Sequence, residues 1–290
     1  MQSFSAAGVR YNAVMEIYYG VLLFLFGTVM GSFLQVMVQD YLTVYRREGL
    51  STKAELPALL KLTRQKGMLG RFTSRRSECP HCNKKLTAWE LIPLFSFVAQ
   101  RGRCKACGAA IPLSDFLVEL ATGLLFLVTY LAIGLDIMLA PLLALWSFAL
   151  LIVLFDWVEM EIPNLFMWPY VALSFVLALL SGNVYEHLLA ALVLGGALLA
   201  LWILTRGQGI GFADWQLAFA SGLVLGWQGI TAVVVSFWVG AAYGVALIAV
   251  NRLQGKDTVG MKTAVPFGPF LVLGLVLTLL GGWNLFPYLI

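Results

Sequence analysis

The feature that most constrains this chain is its succession of apolar runs of about 20 residues, the length needed to cross a hydrocarbon core about 30 Å thick at about 1.5 Å per helical residue. The first lies near 17–38, and others follow near 116–134, 138–155, 164–181, 186–205, 214–226, 229–250 and 266–284. The pattern predicts an all-α polytopic membrane protein with about eight transmembrane helices, the sixth unusually short. A water-soluble fold is excluded by the balance of residues: 60% are hydrophobic and 12% charged, with a mean hydropathy of +0.86. The first run has no small-residue cleavage site, so it reads as a signal anchor rather than a removable signal peptide.

Between these runs the cations are not spread evenly. Residues 40–115 hold 14 of the 19 Lys and Arg, and Arg206, Arg252, Lys256 and Lys262 fall in loops on the same side once eight crossings are assumed. Only Arg10 lies opposite. Because Lys and Arg in short loops stay on the cytoplasmic side, this side is predicted to face the cytoplasm. The net charge of +4 therefore belongs to a basic membrane face, for which anionic lipid headgroups are a sufficient partner and nucleic acid is not needed.

Three regions follow: 1–38 as the N-terminal segment and first transmembrane helix, 39–115 as a polar cytoplasmic domain inserted between helices 1 and 2, and 116–290 as a transmembrane bundle. The inserted domain carries a basic stretch and a Leu-rich piece (Leu56, Leu59, Leu60, Leu62). Gly27 with Gly31, and Gly240 with Gly244, are spaced for close helix contact. No sequence repeat is visible.

All four cysteines lie in the inserted domain. Cys79-Pro80-His81-Cys82 and Cys104-Lys105-Ala106-Cys107 are two CxxC pairs with 21 residues between them, the spacing of a two-knuckle zinc site. Four thiolates close a tetrahedron and mark a structural rather than a catalytic centre. The reducing compartment expected for this face weighs against disulfides, and a redox CxxC would need only one copy. His81 reads as a polar neighbour, since four cysteines complete the coordination. His187 reads as an interfacial residue on the opposite side.

Carboxylates in or beside spanning helices are costly and are functional candidates. Asp156 ends the third helix in FDWVEMEIPN, and Asp214 begins the sixth in GIGFADWQL. Both fall at the expected cytoplasmic end. Two neighbouring carboxylates can share a proton, one acting as base toward a water while the other protonates a peptide carbonyl. The glycines before Asp214 permit close approach of an extended peptide, and Pro163 stops the helix after Asp156. A bland alternative makes Asp214 a helix N-cap and Asp156 an interfacial loop residue. Glu159 and Glu161, expected in the loop, compete as solvated or substrate-contacting groups.

These residues together resemble the type IV prepilin peptidases, membrane aspartyl proteases related more distantly to the GxGD intramembrane proteases. The resemblance covers most of the chain. Gly31-Ser32-Phe33-Leu34 is similar to the family's GSFLN segment, with Gln35 for the usual Asn. Cys79 to Cys107, with IPLFSF at 92–97 and RGRC at 101–104, resembles its zinc-binding cytoplasmic domain, and Val118-Glu119-Leu120 the start of its second helix. Asp156 to Asn164 fits Asp, five residues, then Ile-Pro-Asn, while Gly209 to Leu217 fits the second aspartate motif and Val265 to Phe270 the PFGP motif. The resemblance implies Asp156 and Asp214 as the catalytic pair, and Cys79, Cys82, Cys104 and Cys107 as structural zinc ligands. It further implies prepilins and type II secretion pseudopilins as substrates, cut after a basic leader. N-methylation of the new N-terminus with S-adenosylmethionine, and a bacterial inner-membrane location with the active site facing the cytoplasm, are implied in the same way. No glycine-rich nucleotide fingerprint independently supports methyl transfer.

Ala213 replaces the usual Gly before the second aspartate, and Gln216 replaces a common Lys. Ala disfavours the positive φ open to Gly, which gives some weight to an inactive or repurposed membrane scaffold of a pilus or secretion apparatus. A transporter is less favoured, because both carboxylates lie at one edge rather than near the midplane.

Overall fold

The computed structural model describes residues 13–48, 78, 79, 81–255 and 263–285. The Leu-rich piece (Leu56, Leu59, Leu60, Leu62), Arg10, Lys256 and Lys262 lie outside the described residues. Nine α-helices occur among the described residues: α1 (Ala13–Glu48), a short α2 (Phe95–Ala99), α3 (Leu113–Ile133), α4 (Leu139–Glu159), α5 (Asn164–Leu180), α6 (Val184–Leu204), α7 (Phe212–Leu225), α8 (Gly229–Leu253) and α9 (Gly268–Gly281). Two 3-10 turns, Ala88–Leu91 and Gly226–Gln228, join them. Apart from two isolated bridges, Glu78 with Lys85 and Arg103 with Ala110, no β-structure occurs among these residues.

Five helical stretches are long and apolar enough to cross a membrane: Val14–Thr43, Leu113–Ile133, Leu139–Glu159, Val184–Leu204 and Phe212–Leu253. The last is a single apolar stretch broken into α7 and α8 by the 3-10 turn, where Gly226 adopts φ +58°. The apolar helices α5 and α9 are shorter.

The chain divides into two compact units, residues 1–139 and 140–290. In the first, α1 packs along α3. They approach closely at the expected small-residue pair: a Cβ on Gly27 would fall 2.8 Å from the Thr122 carbonyl oxygen, and one on Gly31 2.9 Å from Thr122 Oγ1. Backbone approach of this kind supplies the van der Waals contact that holds helices together in lipid. Further along, Gln35 Nε2 donates to Asp115 Oδ1 at 2.5 Å, so the polar ends of the two helices coincide. α1 runs ten residues past the sequence expectation, because no Gly or Pro interrupts it before Gly49.

In the second unit, α7 lies among α5, α6, α8 and α9. It is buried nearly all round, as a central helix must be. Small residues let α6 approach it: a Cβ on Gly222 would sit 2.5 Å from Ala191 Cα. His187 in the first turns of α6 is half-buried and donates from Nδ1 to the Leu223 carbonyl at 2.8 Å, satisfying one of the orphan acceptors at the end of α7. It is thus a tether within the unit. α4 buries Leu145, Trp146, Ile152 and Phe155, the last stacked on Phe166 of α5 at 5.1 Å. The second small-residue pair is only half realised. A Cβ on Gly240 would meet the rings of Phe270 and Phe267 at 3.2 and 3.3 Å, whereas Gly244 faces open space.

Candidate active site

Asp156 lies in the last turn of α4, where Met160 (φ 53°) turns the chain sharply away and Pro163 starts the next helix. A left-handed residue followed three positions later by Pro leaves no way for the helix to continue. The carboxylate is only 7% exposed. Its Oδ2 accepts the backbone N–H of Gly268 at 2.8 Å. Gly268 opens α9, followed by Pro269, which has no N–H of its own. The amide is therefore one of the unpaired donors of a helix N-terminus, where negative charge is favoured.

A Cβ on Gly268 would lie 2.8 Å from Asp156 Oδ2 and 3.5 Å from Ile162 Cδ1. Only glycine leaves this room, and Ile162, from the Ile-Pro-Asn turn, walls the same spot. Aromatic residues close in sequence to Gly268 and Asp156 form a chain of ring contacts: Phe267 packs on Phe237, Phe270 on Tyr243, and Tyr243 on Trp157.

Asp214 is the third residue of α7 and not its N-cap, which is Gly211. Its carboxylate, 5% exposed, reaches back so that Oδ2 accepts the Gly211 N–H at 2.8 Å. This is the reciprocal half of a capping box. Each aspartate is thus held through Oδ2 by a glycine N–H at a helix start, leaving Oδ1 for other partners. Ala213 lies inside α7 with helical dihedrals, so the position does not demand glycine. Gln216 is buried two residues on. Glu159 belongs to the end of α4 rather than to the loop, and Glu161 follows it; both are half-buried.

The sequence reading picked out both aspartates but missed the Gly268 and Gly211 amides and the wall formed by Ile162. Glycine beside the two prolines of Pro266-Phe267-Gly268-Pro269 was the available signal.

The four cysteines form a second centre, in the first unit. Their sulfur atoms all lie within 4.8 Å of one another, with Cys79 and Cys107 3.8 Å apart. A tetrahedron with metal–sulfur bonds of about 2.3 Å has edges of about 3.8 Å, so the set can hold a metal ion. The two knuckles repeat one another. In each, the first cysteine N–H bonds to a carbonyl five residues on (Cys79 to Lys84, Cys104 to Ala109). A left-handed residue follows the second cysteine, Asn83 in one and Gly108 in the other.

Backbone amides also point at the sulfurs. Those of Cys82 and His81 lower the Cys79 thiol from its ordinary range, and those of Cys107 and Ala106 hold Cys104 at about 6. The Ala109 amide favours the Cys107 thiolate, but burial and the neighbouring sulfurs outweigh it and push this thiol to about 11. Such a set is primed to bind a cation that neutralises several thiolates together. His81 is exposed and lies outside the ligand group.

Residues 25–133 match the bacterial peptidase A24 N-terminal domain, and residues 142–245 match the type IV leader peptidase family. The chain is 34% identical over 277 residues to a prepilin leader peptidase/N-methyltransferase of Aeromonas salmonicida (strain A449), covering 91% of each chain. The chain belongs to the type IV leader peptidase family. Relatives with the same name in Bacillus subtilis (strain 168) and Pseudomonas aeruginosa are 32% and 30% identical. These alignments cover 74% and 89% of this chain and 85% and 89% of the relatives. No solved structure gives a significant match. As a member of the leader peptidase family the chain is a peptidase, and its five long apolar stretches place it among membrane proteins.

Proposed function

We propose that the chain cuts the basic leader from prepilins and pseudopilins at the cytoplasmic face of the bacterial inner membrane, with Asp156 and Asp214 as the catalytic pair. The observation that carries this reading is that both carboxylates are buried in the same unit and each is oriented by a glycine N–H at a helix start. In the reaction, one aspartate removes a proton from a water whose oxygen attacks the scissile carbonyl carbon. The other donates its proton to the carbonyl oxygen. Collapse of the tetrahedral intermediate breaks the C–N bond, and the leaving nitrogen takes a proton back from the pair. Fixing Oδ2 of each residue removes rotational freedom from the groups that must handle protons, so reacting geometry is set before substrate arrives.

Eight crossings, by α1 and α3 to α9, put the basic segment and both aspartates on one side. Lys and Arg in short loops assign that side to the cytoplasm. Residues 39–115 are then the inserted cytoplasmic domain and 116–290 the protease bundle. Zinc is the metal that suits four thiolates at these separations, bound by Cys79, Cys82, Cys104 and Cys107 in a structural role. It would join two knuckles in a domain too small to be stable by its core alone. The precursor's hydrophobic helix would bring its leader junction to the membrane edge by lateral diffusion.

N-methylation of the new N-terminus, with S-adenosylmethionine as donor, is the second activity carried by the relatives' names. Among the described residues no donor set singles out a place for that cofactor, so this part of the reading rests on the relatives.

The test is a cleavage assay in membranes with a pilin-like precursor from the same cell. Asp156→Asn and Asp214→Asn are each expected to abolish cleavage while expression and thermal stability persist. Cleavage surviving either substitution would sink the mechanism.

A further inference from the structure

The short helix α2 and the 3-10 turn before it carry apolar side chains that the fold leaves uncovered. Trp89 is 74% exposed, Val98 66% and Phe95 56%, and Leu91 and Ile92 are exposed beside them. Single exposed apolar residues need no explanation, but five within ten residues of a polar subdomain do. We propose that this face docks on the headgroup interface of the bilayer that the chain itself spans, seating the cysteine subdomain on anionic phospholipid.

Position carries the argument. α3 has 21 apolar-rich residues, a rise of about 31 Å that matches the hydrocarbon thickness, so Leu113 lies near one boundary. Asp115, in the first turn, shares a hydrogen bond with Gln35 close to that boundary. Glu119 lies six residues into the helix, about 9 Å along it, yet its carboxylate accepts the backbone N–H of Leu94 at 2.8 Å. Phe97 of α2 packs on Phe116 of α3 with ring centroids 5.0 Å apart.

Two independent contacts therefore pin the segment around α2 alongside the first two turns of a spanning helix. Whatever faces outward at that level meets the zone between headgroups and acyl chains. Indole and phenyl rings favour that zone, with the ring in the acyl region and the indole N–H among the headgroups. α3 exposes Leu113 and Leu117 at the same level, so the apolar surface of the spanning helix continues into the subdomain. Lys85, Arg101, Arg103 and Lys105 are exposed on the subdomain, and their charge complements anionic headgroups. A protein partner would have to displace lipid already in place around α3.

The inference rests on the membrane-spanning character of α3 and not on the peptidase reading, so it can be tested in the Asp156→Asn chain as well as in the unmodified one. The full chain is placed in nanodiscs of phosphatidylethanolamine and phosphatidylglycerol. Trp89 emission is isolated as the difference between the unmodified chain and Trp89→Phe. The expected result is loss of that difference emission when the lipids carry bromine near the top of the acyl chain, with little quenching by acrylamide in the water phase. Quenching by acrylamide and not by brominated lipid would overturn the proposal by showing a solvated face. Insensitivity to both would overturn it by showing that protein, such as a second copy, covers the face. Phe95→Trp in the Trp89→Phe background repeats the measurement at a second point of the same face.

Discussion

The backbone N–H of Gly268 reaches the carboxylate of Asp156 across 112 residues of sequence, at 2.8 Å, and the space that a Cβ would need at Gly268 is taken by that same carboxylate. Donor and empty volume are two aspects of one contact. Gly211 repeats the arrangement more loosely for Asp214, with 3.2 Å between its hypothetical Cβ and Oδ2.

Gly268→Ala is accordingly expected to push the Asp156 carboxylate from its position while leaving α9 intact, because Ala is favoured in helices and the position needs no positive φ. Displacement by about 1 Å costs on the order of 100-fold in rate. Single-turnover cleavage, alongside a thermal melt, reads the two effects separately. Gly211→Ala should cost less, since its contact is the longer.

Ala213→Gly asks whether the departure from the family pattern matters. The residue is helical, so glycine there is expected to cost about 0.5–1 kcal/mol of stability and to leave cleavage unchanged. Cleavage that appears only in the Ala213→Gly chain would mean that Ala213 silences the site and would favour the scaffold reading. Melting temperature and turnover in the same preparation decide it.

The cysteine centre is expected to bind about one zinc per chain, as metal analysis of protein purified without added metal would report. Cys82→Ser or Cys104→Ser should abolish binding and make residues 78–111 sensitive to protease, whereas His81→Ala should retain the metal. Protease sensitivity unchanged in the cysteine variants would remove the structural role.

Glu90 gives a pH signature to the same subdomain. Its carboxylate takes a hydrogen bond from Lys84 Nζ at 2.8 Å and further ones from the N–H and Oγ1 of Thr87, and these hold it at about 2 instead of its ordinary 4.5. A depressed carboxyl stabilises the fold above its ordinary value, and that contribution fades as pH falls from about 4.5 toward 2. Glu90→Gln should lower the thermal midpoint at neutral pH, with the gap to the unmodified chain closing through that acid window. A gap independent of pH would mean that Glu90 acts through packing alone.

Helix placement was largely legible because apolar runs are bounded by Gly, Pro and short polar stretches; α5, expected at 164–181, occupies 164–180. The extension of α1 to Glu48 was not, since a polar sequence without a breaker can continue a helix or leave it. Asp214 was expected to open its helix and instead lies two residues inside, in the first turn, because Phe212 and Ala213 are compatible with helix and Gly211 caps it. The Gly268 contact was invisible for a different reason. Periodicity reports which face of a helix is apolar, not which distant backbone amide will meet a side chain.

The helices that present the two glycine amides, α7 and α9, have only 14 residues each. Such a helix rises about 21 Å, roughly 9 Å less than the hydrocarbon core it stands in. Because α7 is enclosed by α5, α6, α8 and α9, its shortfall is met by the neighbouring helices rather than by lipid, and the helix start that holds Asp214 would lie recessed between the ends of longer helices.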